Sequence, residues 1–141
     1  MIAELDRNGL EILGRPECLR LLATVQLGRI AVTSEALPSI VPVNFKVVDD
    51  LIVIRTGRGT KLDAATRNAV VAFEADRIDP VDHTGWSVMV TGVARELKAT
   101  DEIEAVGEPP PRWAPGPDGR YIAVSTDVVS GRRITTGPTS T

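Results

Sequence analysis

Two hydrophobic periods divide this chain. Leu19, Leu22 and Ala23 recur at the spacing of a helix, and from Arg29 onward apolar residues alternate with polar ones at the spacing of a strand. Pro16-Glu17-Cys18 reads as a first helical turn, where the missing proline N–H is no loss, and Gly28 closes the element. This helix is expected to carry Leu19, Leu22 and Val25 onto the end of a sheet, with Leu5 to Gly14 a loose opening segment.

Arg29 to Thr33 is a first strand, Glu35-Ala-Leu-Pro38 a turn, and Ser39 to Val48 a second strand. In that second strand Val41, Val43, Phe45 and Val47 share one face and Pro42, Asn44 and Lys46 the other, as in a half-buried antiparallel ribbon. Pro42 removes a ladder donor, so the strand belongs at an edge or a break in pairing, where a ligand can approach the backbone. Asp49-Asp50 is a tight turn into Leu51 to Thr56. A short helix over Leu62 to Asn68 follows, then a strand over Ala69 to Ala75, a polar loop over Asp76 to Gly85, and a long strand from Trp86 to Leu97 interrupted by Gly92. Thr100 and Asp101 are cap candidates for a third helix. The proline-rich stretch from Glu108 to Gly119 predicts a rigid loop, Tyr121 to Thr126 a last strand, and residues from Thr135 a disordered tail. The expectation is a mainly β fold: one domain over residues 1–134, a six-stranded antiparallel barrel with short flanking helices, and a tail over 135–141.

Composition narrows the partners. A net charge of −3 gives nucleic acid or a membrane surface no electrostatic attraction, and no apolar run approaches the roughly 20 residues of a bilayer span. The charged opening Met-Ile-Ala-Glu-Leu-Asp-Arg does not read as a secretory signal, and the single Cys18 allows no internal disulfide, so a reducing cytoplasm is expected. Against 13 arginines stand only Lys46, Lys61 and Lys98, a faint hint that a lysine is chosen for its chemistry.

Candidate chemistry gathers at Ile52-Val-Ile-Arg-Thr-Gly-Arg-Gly-Thr-Lys61. A β-branched run ends on Arg55 and Thr56, turns through two glycines and reaches Thr60 and Lys61, bringing cations, hydroxyls and backbone N–H groups to one strand end. That is the inventory of a phosphate grip. The same residues describe a common hairpin loop whose cations face water, and composition alone leaves the two readings even. The spacing to Lys61 is wrong for a Walker loop, and the third glycine of a dinucleotide fingerprint is missing. His83 stands alone; Asp76, Asp79 and Asp82 do not follow a calcium-loop order; Ser34, Ser39, Ser87 and Ser125 lack nucleophile-elbow glycines; Cys18 reads as packing. Trp86 is either a core aromatic or the flank of a planar ring. No metal site and no acid, base or nucleophile set emerges, so catalysis here would draw on a bound cofactor.

In order along the chain, Leu27-Gly-Arg-Ile-Ala-Val, Val41-Pro-Val-Asn-Phe, Ile54-Arg-Thr, Thr60-Lys61, Val70-Val-Ala-Phe-Glu-Ala-Asp, Trp86-Ser-Val-Met-Val-Thr-Gly-Val-Ala and Val129-Ser-Gly-Arg-Arg resemble the pyridoxamine 5′-phosphate oxidase-like family of flavin-binding split barrels. The resemblance spans roughly residues 16 to 134. It implies a homodimer with FMN at the interface. Arg55 and Lys61 then match the phosphate cations, with hydroxyls from Thr56 and Thr60. Pro42, Val43 and Asn44 match the strand along the isoalloxazine ring, and Trp86 and Ser87 the strand bordering it. Arg132 or Arg133 would reach the partner's site. The fuller substrate-phosphate set of true pyridoxamine phosphate oxidases is missing, so oxidation of vitamin B6 phosphates is not implied. What is implied is an FMN-binding oxidoreductase acting on a small molecule. The alternatives are a deazaflavin-dependent reductase, or a non-catalytic binder of flavin, haem or a drug.

Overall fold

In the computed structural model, residues 3–110 and 119–134 are described. Nine strands and three helices follow one another as β1 (Glu11–Leu13), α1 (Arg15–Leu22), β2 (Leu27–Ser34), β3 (Leu37–Asn44), β4 (Lys46–Val48), β5 (Leu51–Thr56), α2 (Lys61–Ala65), β6 (Ala69–Ile78), β7 (Gly85–Glu96), α3 (Thr100–Val106), β8 (Arg120–Val124) and β9 (Val128–Ile134). All strand pairs are antiparallel, in the order β3-β2-β6-β7-β8-β5-β4, with β9 joining β7 to β1. This mainly β sheet curls into a split barrel. No helix among the described residues is long and apolar enough to cross a membrane.

Turn chemistry closes the hairpins. Glu35-Ala36 and Asp49-Asp50 adopt positive φ at both positions (51° and 65°, then 48° and 62°), the backbone of a two-residue turn whose twist matches that of its strands. Pro42 lies on the edge strand β3, as its missing donor requires. The segment expected to be one strand from Ser39 to Val48 is two. It pairs with β2 as far as Asn44, and from Lys46 it pairs with β5. Phe45 stands at the changeover, its N–H bonded to Gln26 O at 3.0 Å and its ring edge-on to Phe73 at 4.8 Å. The barrel splits there because Phe45, 2% exposed, is held in the core while the chain on either side takes a different partner.

Strand β7 changes partner as well. Gly85 to Thr91 pair with β9, and Ala94 to Glu96 pair with β8. Gly92 lies between the two sets, where a Cβ would stand 1.7 Å from Ser125 O, so the interruption read from the sequence is a point of close backbone approach.

Three expectations change. Glu11–Leu13, read as loose, is a strand paired with β9, and β9 itself had no strand assigned, so with the division of Ser39–Val48 into β3 and β4 six strands become nine segments. Both were hidden by shortness or by the arginines of β9, whose carboxylate partners lie far away in sequence. α3 is preceded by Ala99, with Thr100 and Asp101 inside its first turn and no side-chain cap. The proline-rich residues 111–118 and the tail 135–141 lie outside the described residues.

The main core joins Cys18, Leu21 and Leu22 of α1 to Ile30, Val43, Phe45, Ile52, Ile54, Phe73, Val88 and Val90 of the barrel. Leu19 and Val25 pack at its margin, but only Leu19 does so from the helix: α1 ends at Leu22, and Gly28, expected to close it, lies in β2. Val53, Leu97, Val106 and Ala123 form a smaller core under α3. Arg15 ties the start of α1 to the barrel, donating to Thr126 O and Oγ1 at 2.5 and 2.6 Å, while Thr126 Oγ1 donates to Asp50 O at 2.8 Å.

Candidate functional site

The alternation of β3 sends Val43 into the core and leaves Pro42 and Asn44 on the outer face. Asn44 is half-buried, and its Oδ1 is fully covered with no hydrogen-bond partner among the described residues. The register that sets Lys46 opposite Val53 runs the chain back past Phe45 toward the Arg55 end of β5. Asn44 therefore marks the split, with β5 on one side and β2 on the other. Gln26, Phe45, Lys46, Val47 and Pro109 line a groove of about 360 Å³ beside it. A second groove, of about 480 Å³, runs between Gln26, Leu27, Arg29, Asp76 and Arg77.

Arg55 alternates outward from β5, between the buried Ile54 and Thr56, and its guanidinium lies 5.5 Å from the centre of the Tyr121 ring. Thr56 is 3% exposed, and its hydroxyl donates to Asp63 Oδ1 at 3.3 Å. Thr60 caps α2: its oxygen accepts the Asp63 N–H at 3.0 Å while its hydroxyl donates to Gly57 O at 2.9 Å. Lys61 opens α2 and is exposed. Of the four residues matched to a phosphate, then, Lys61 is exposed, Arg55 lies half-buried against Tyr121, and the two threonines bond within the loop.

The carboxylate under that loop was not singled out from the sequence. Asp63 is 1% exposed and accepts the Gly59 N–H at 2.9 Å. Arg120 Nε stands 2.9 Å from Asp63 Oδ1, an ion pair whose N–H direction does not complete a hydrogen bond, and Arg120 NH1 donates to Glu96 at 2.8 Å. Arg67 adds a longer contact of 3.5 Å. Burial by itself pushes the Asp63 carboxyl up. The Gly59 amide, the Arg120 charge, the Thr56 hydroxyl and Arg67 outweigh it and hold the group below the ordinary aspartate value. The signal available in sequence was Thr60-Lys-Leu-Asp63, a hydroxyl cap with an acid three residues on.

Trp86 and Ser87, adjacent on β7, face opposite ways. Trp86 is 8% exposed and belongs to the core, while Ser87 lies on the outer face opposite Arg132 of β9 and Asp76 of β6. Arg132 donates to Asp6 Oδ2 at 3.0 Å and to Gly131 O at 2.9 Å; Arg133 reaches Glu11 at 3.3 Å and Glu17 at 3.1 Å. Both arginines thus hold the opening segment and α1 to β9. Asn44 and Ser87 sit three strand spacings apart, roughly 14 Å, because β2 and β6 lie between β3 and β7. Within one chain the predicted residues form two groups: Pro42, Asn44, Arg55 and Lys61 at the split, and Ser87 with Arg132 farther along the outer face.

Glu74 and Asp76 stand between them. On β6 they share the outer face with Arg29, whose NH1 is 3.7 Å from Glu74. Burial, and then the adjacent Asp76 carboxyl, raise the Glu74 pKa to about 7 against the pull of Arg29. Two acids one residue apart on a strand share a face, which Glu74-Ala-Asp76 shows in sequence.

The curled antiparallel sheet places the chain in the split-barrel class, a fold that does not by itself fix an activity. The chain belongs to the pyridoxamine 5′-phosphate oxidase family, whose profile it matches over residues 14–133. It is 39% identical over 138 residues to an uncharacterized protein of Mycobacterium tuberculosis, covering 94% of this chain and 86% of the relative. Among solved structures it is similar to the FAD binding protein of Mycobacterium smegmatis, at 36% identity and a TM-score of 0.71 over 89% of this chain and 98% of that one. A proposed pyridoxamine 5′-phosphate oxidase of Corynebacterium glutamicum superposes with a TM-score of 0.79 at 35% identity, over 92% and 96% of the two chains.

Proposed function

We propose that the chain binds a flavin phosphate at the barrel split and serves as a flavin-dependent oxidoreductase for a small molecule. The buried Asn44 Oδ1, without a hydrogen-bond partner among the described residues, carries this reading. A covered acceptor without a donor costs about 1–3 kcal/mol, and the N–H at the edge of an isoalloxazine ring is a donor that fits it. The outward cations Arg55 and Lys61 fit the phosphate, and Pro42, which has no N–H to pair, leaves the β3 edge open to a ring. A bound flavin supplies hydride acceptance and donation. The protein's own residues bind, orient and enclose.

FMN is the cofactor the site residues match in sequence. The relationship to the M. smegmatis FAD binding protein favours a second reading, FAD, whose inner half presents the same ring and phosphate to the same residues.

The two groups of site residues, roughly 14 Å apart, support a homodimer in which a second copy brings one chain's Ser87 and Arg132 toward the other's split. The outer face supports the same reading. Register lines up Ile40, Ala31, Ala72, Thr91 and Val128 across five strands, and Ile40 and Val128 are 71% and 62% exposed. An uncharged row of that length, apolar except at Thr91, is the material of an interface.

The visible spectrum of the purified protein and titration with FMN test the proposal. Wild-type protein is expected to bind FMN with a thermal shift, and Lys61→Ala to bind it weaker by about 1–3 kcal/mol through loss of a charge-assisted contact. No flavin band and no shift at saturating FMN would end it.

A further inference from the structure

We infer that Asp63 is the positioning residue of the phosphate grip, acting through the Gly57–Gly59 turn and resting on the flavin-phosphate reading above. Two glycines flanking Arg58 leave a turn with wide backbone freedom, and Gly59 takes a φ of +78°. Such a turn carries Lys61 at no fixed place unless something holds it.

Asp63 holds it from inside. Its carboxylate takes the Gly59 N–H at 2.9 Å and the Thr56 hydroxyl at 3.3 Å, and its own N–H goes to the Thr60 oxygen at 3.0 Å. Thr60 in turn closes onto Gly57 O at 2.9 Å. The turn is thereby stitched at Thr56, Gly59 and Thr60 to one buried acid. Arg120, 10% exposed, anchors that acid to the start of β8 and spans to Glu96 on β7. Arg55 and Lys61 bracket the stitched segment on the strand side and the helix side. The Gly59 amide, which composition assigns to an external anion, is already taken by an internal carboxylate. Selection for phosphate therefore falls to the Lys61 and Arg55 side chains, and Asp63 sets where Lys61 stands relative to β5.

The predicted consequence is loss of phosphate discrimination when the stitch is cut. FMN and riboflavin share the ring and differ at the phosphate, so the ratio of their affinities reads the grip alone. Asp63→Asn keeps the shape and removes the charge. It is expected to weaken FMN binding at least tenfold while changing riboflavin binding less than threefold, in protein shown to be folded by far-UV circular dichroism. Arg120→Lys keeps the positive charge and loosens the anchor, and serves if Asp63→Asn does not fold; a threefold or greater fall in the same ratio is expected. A ratio left intact in both variants, or equal losses for both ligands, overturns the role of Asp63 alone. Equal affinities in the wild-type protein overturn the phosphate reading and this inference with it.

Discussion

Glu74 is the residue whose protonation sets how stability responds to pH near neutrality. Folded, it keeps its proton up to about pH 7, because burial and the neighbouring Asp76 disfavour the charged form more than Arg29 favours it. Unfolded, it releases that proton near the ordinary value of about 4.5. The folded state is the proton-richer one between those limits, so stability falls as pH rises from about 4.5 to about 7. Solvent reaches a third of the side chain, which reduces the effect to about 1 kcal/mol. Chemical denaturation across that window is expected to show the decline in wild-type protein and a flatter profile in Glu74→Gln; an unchanged slope would remove Glu74 as its source. Asp63 works in the opposite direction, its lowered pKa giving stability that is lost only as pH falls through the acid range.

At the scale of elements, β7 depends on one small residue. Gly92 sits where pairing passes from β9 to β8, and a methyl group there meets the backbone oxygen of Ser125 at 1.7 Å. The Ser125 carbonyl carbon follows at 2.7 Å, so turning away the Ser125 hydroxyl, at 2.9 Å, does not relieve the clash. Gly92→Ala is expected to cost about 3 kcal/mol, read as a lowered denaturation midpoint, and a wild-type midpoint would show that the β8–β9 turn can move aside. The sequence made this position visible because a glycine broke an otherwise regular strand. Strands with clean alternation were legible for the same reason: β5 is found at the residues read for it, and β2 and β7 within one or two residues. Where partners lie far apart in sequence, periodicity carried no information. β1 is three residues long and β9 is its named strand partner, and the passage of the chain from β2 to β5 at Phe45 is a tertiary event inside an unbroken alternating run. The candidate site follows the same rule. Arg55, Thr60 and Lys61 announced a strand end bearing cations, whereas Asp63 and Arg120, 57 positions apart, meet only in the fold.

For the whole molecule, the outer sheet face is the surface most in need of a partner. Its middle row is uncharged from Ile40 to Val128, with Thr91 its one polar member, and the adjoining row, Pro42, Arg29, Glu74, Met89 and Ser130, places one charge pair among uncharged neighbours. A twofold interface uses the same patch on both copies, so an acid introduced on it is buried twice. Ile40→Asp, at a position 71% exposed in the single chain, is expected to leave folding intact and to shift the protein from dimer to monomer in sedimentation, with flavin affinity falling in parallel. A monomeric wild-type protein would end the dimer reading, and a variant that still assembles would place the interface elsewhere. The pairing of β1 with β9 has its own consequence for how the molecule comes into being. Glu11 meets Arg133, 122 positions later, so the first strand has no ladder partner while the rest of the barrel is being synthesised. At ~5–20 residues per second that interval is roughly 6–24 s, during which the floor of the barrel beneath α1 stands open on the ribosome.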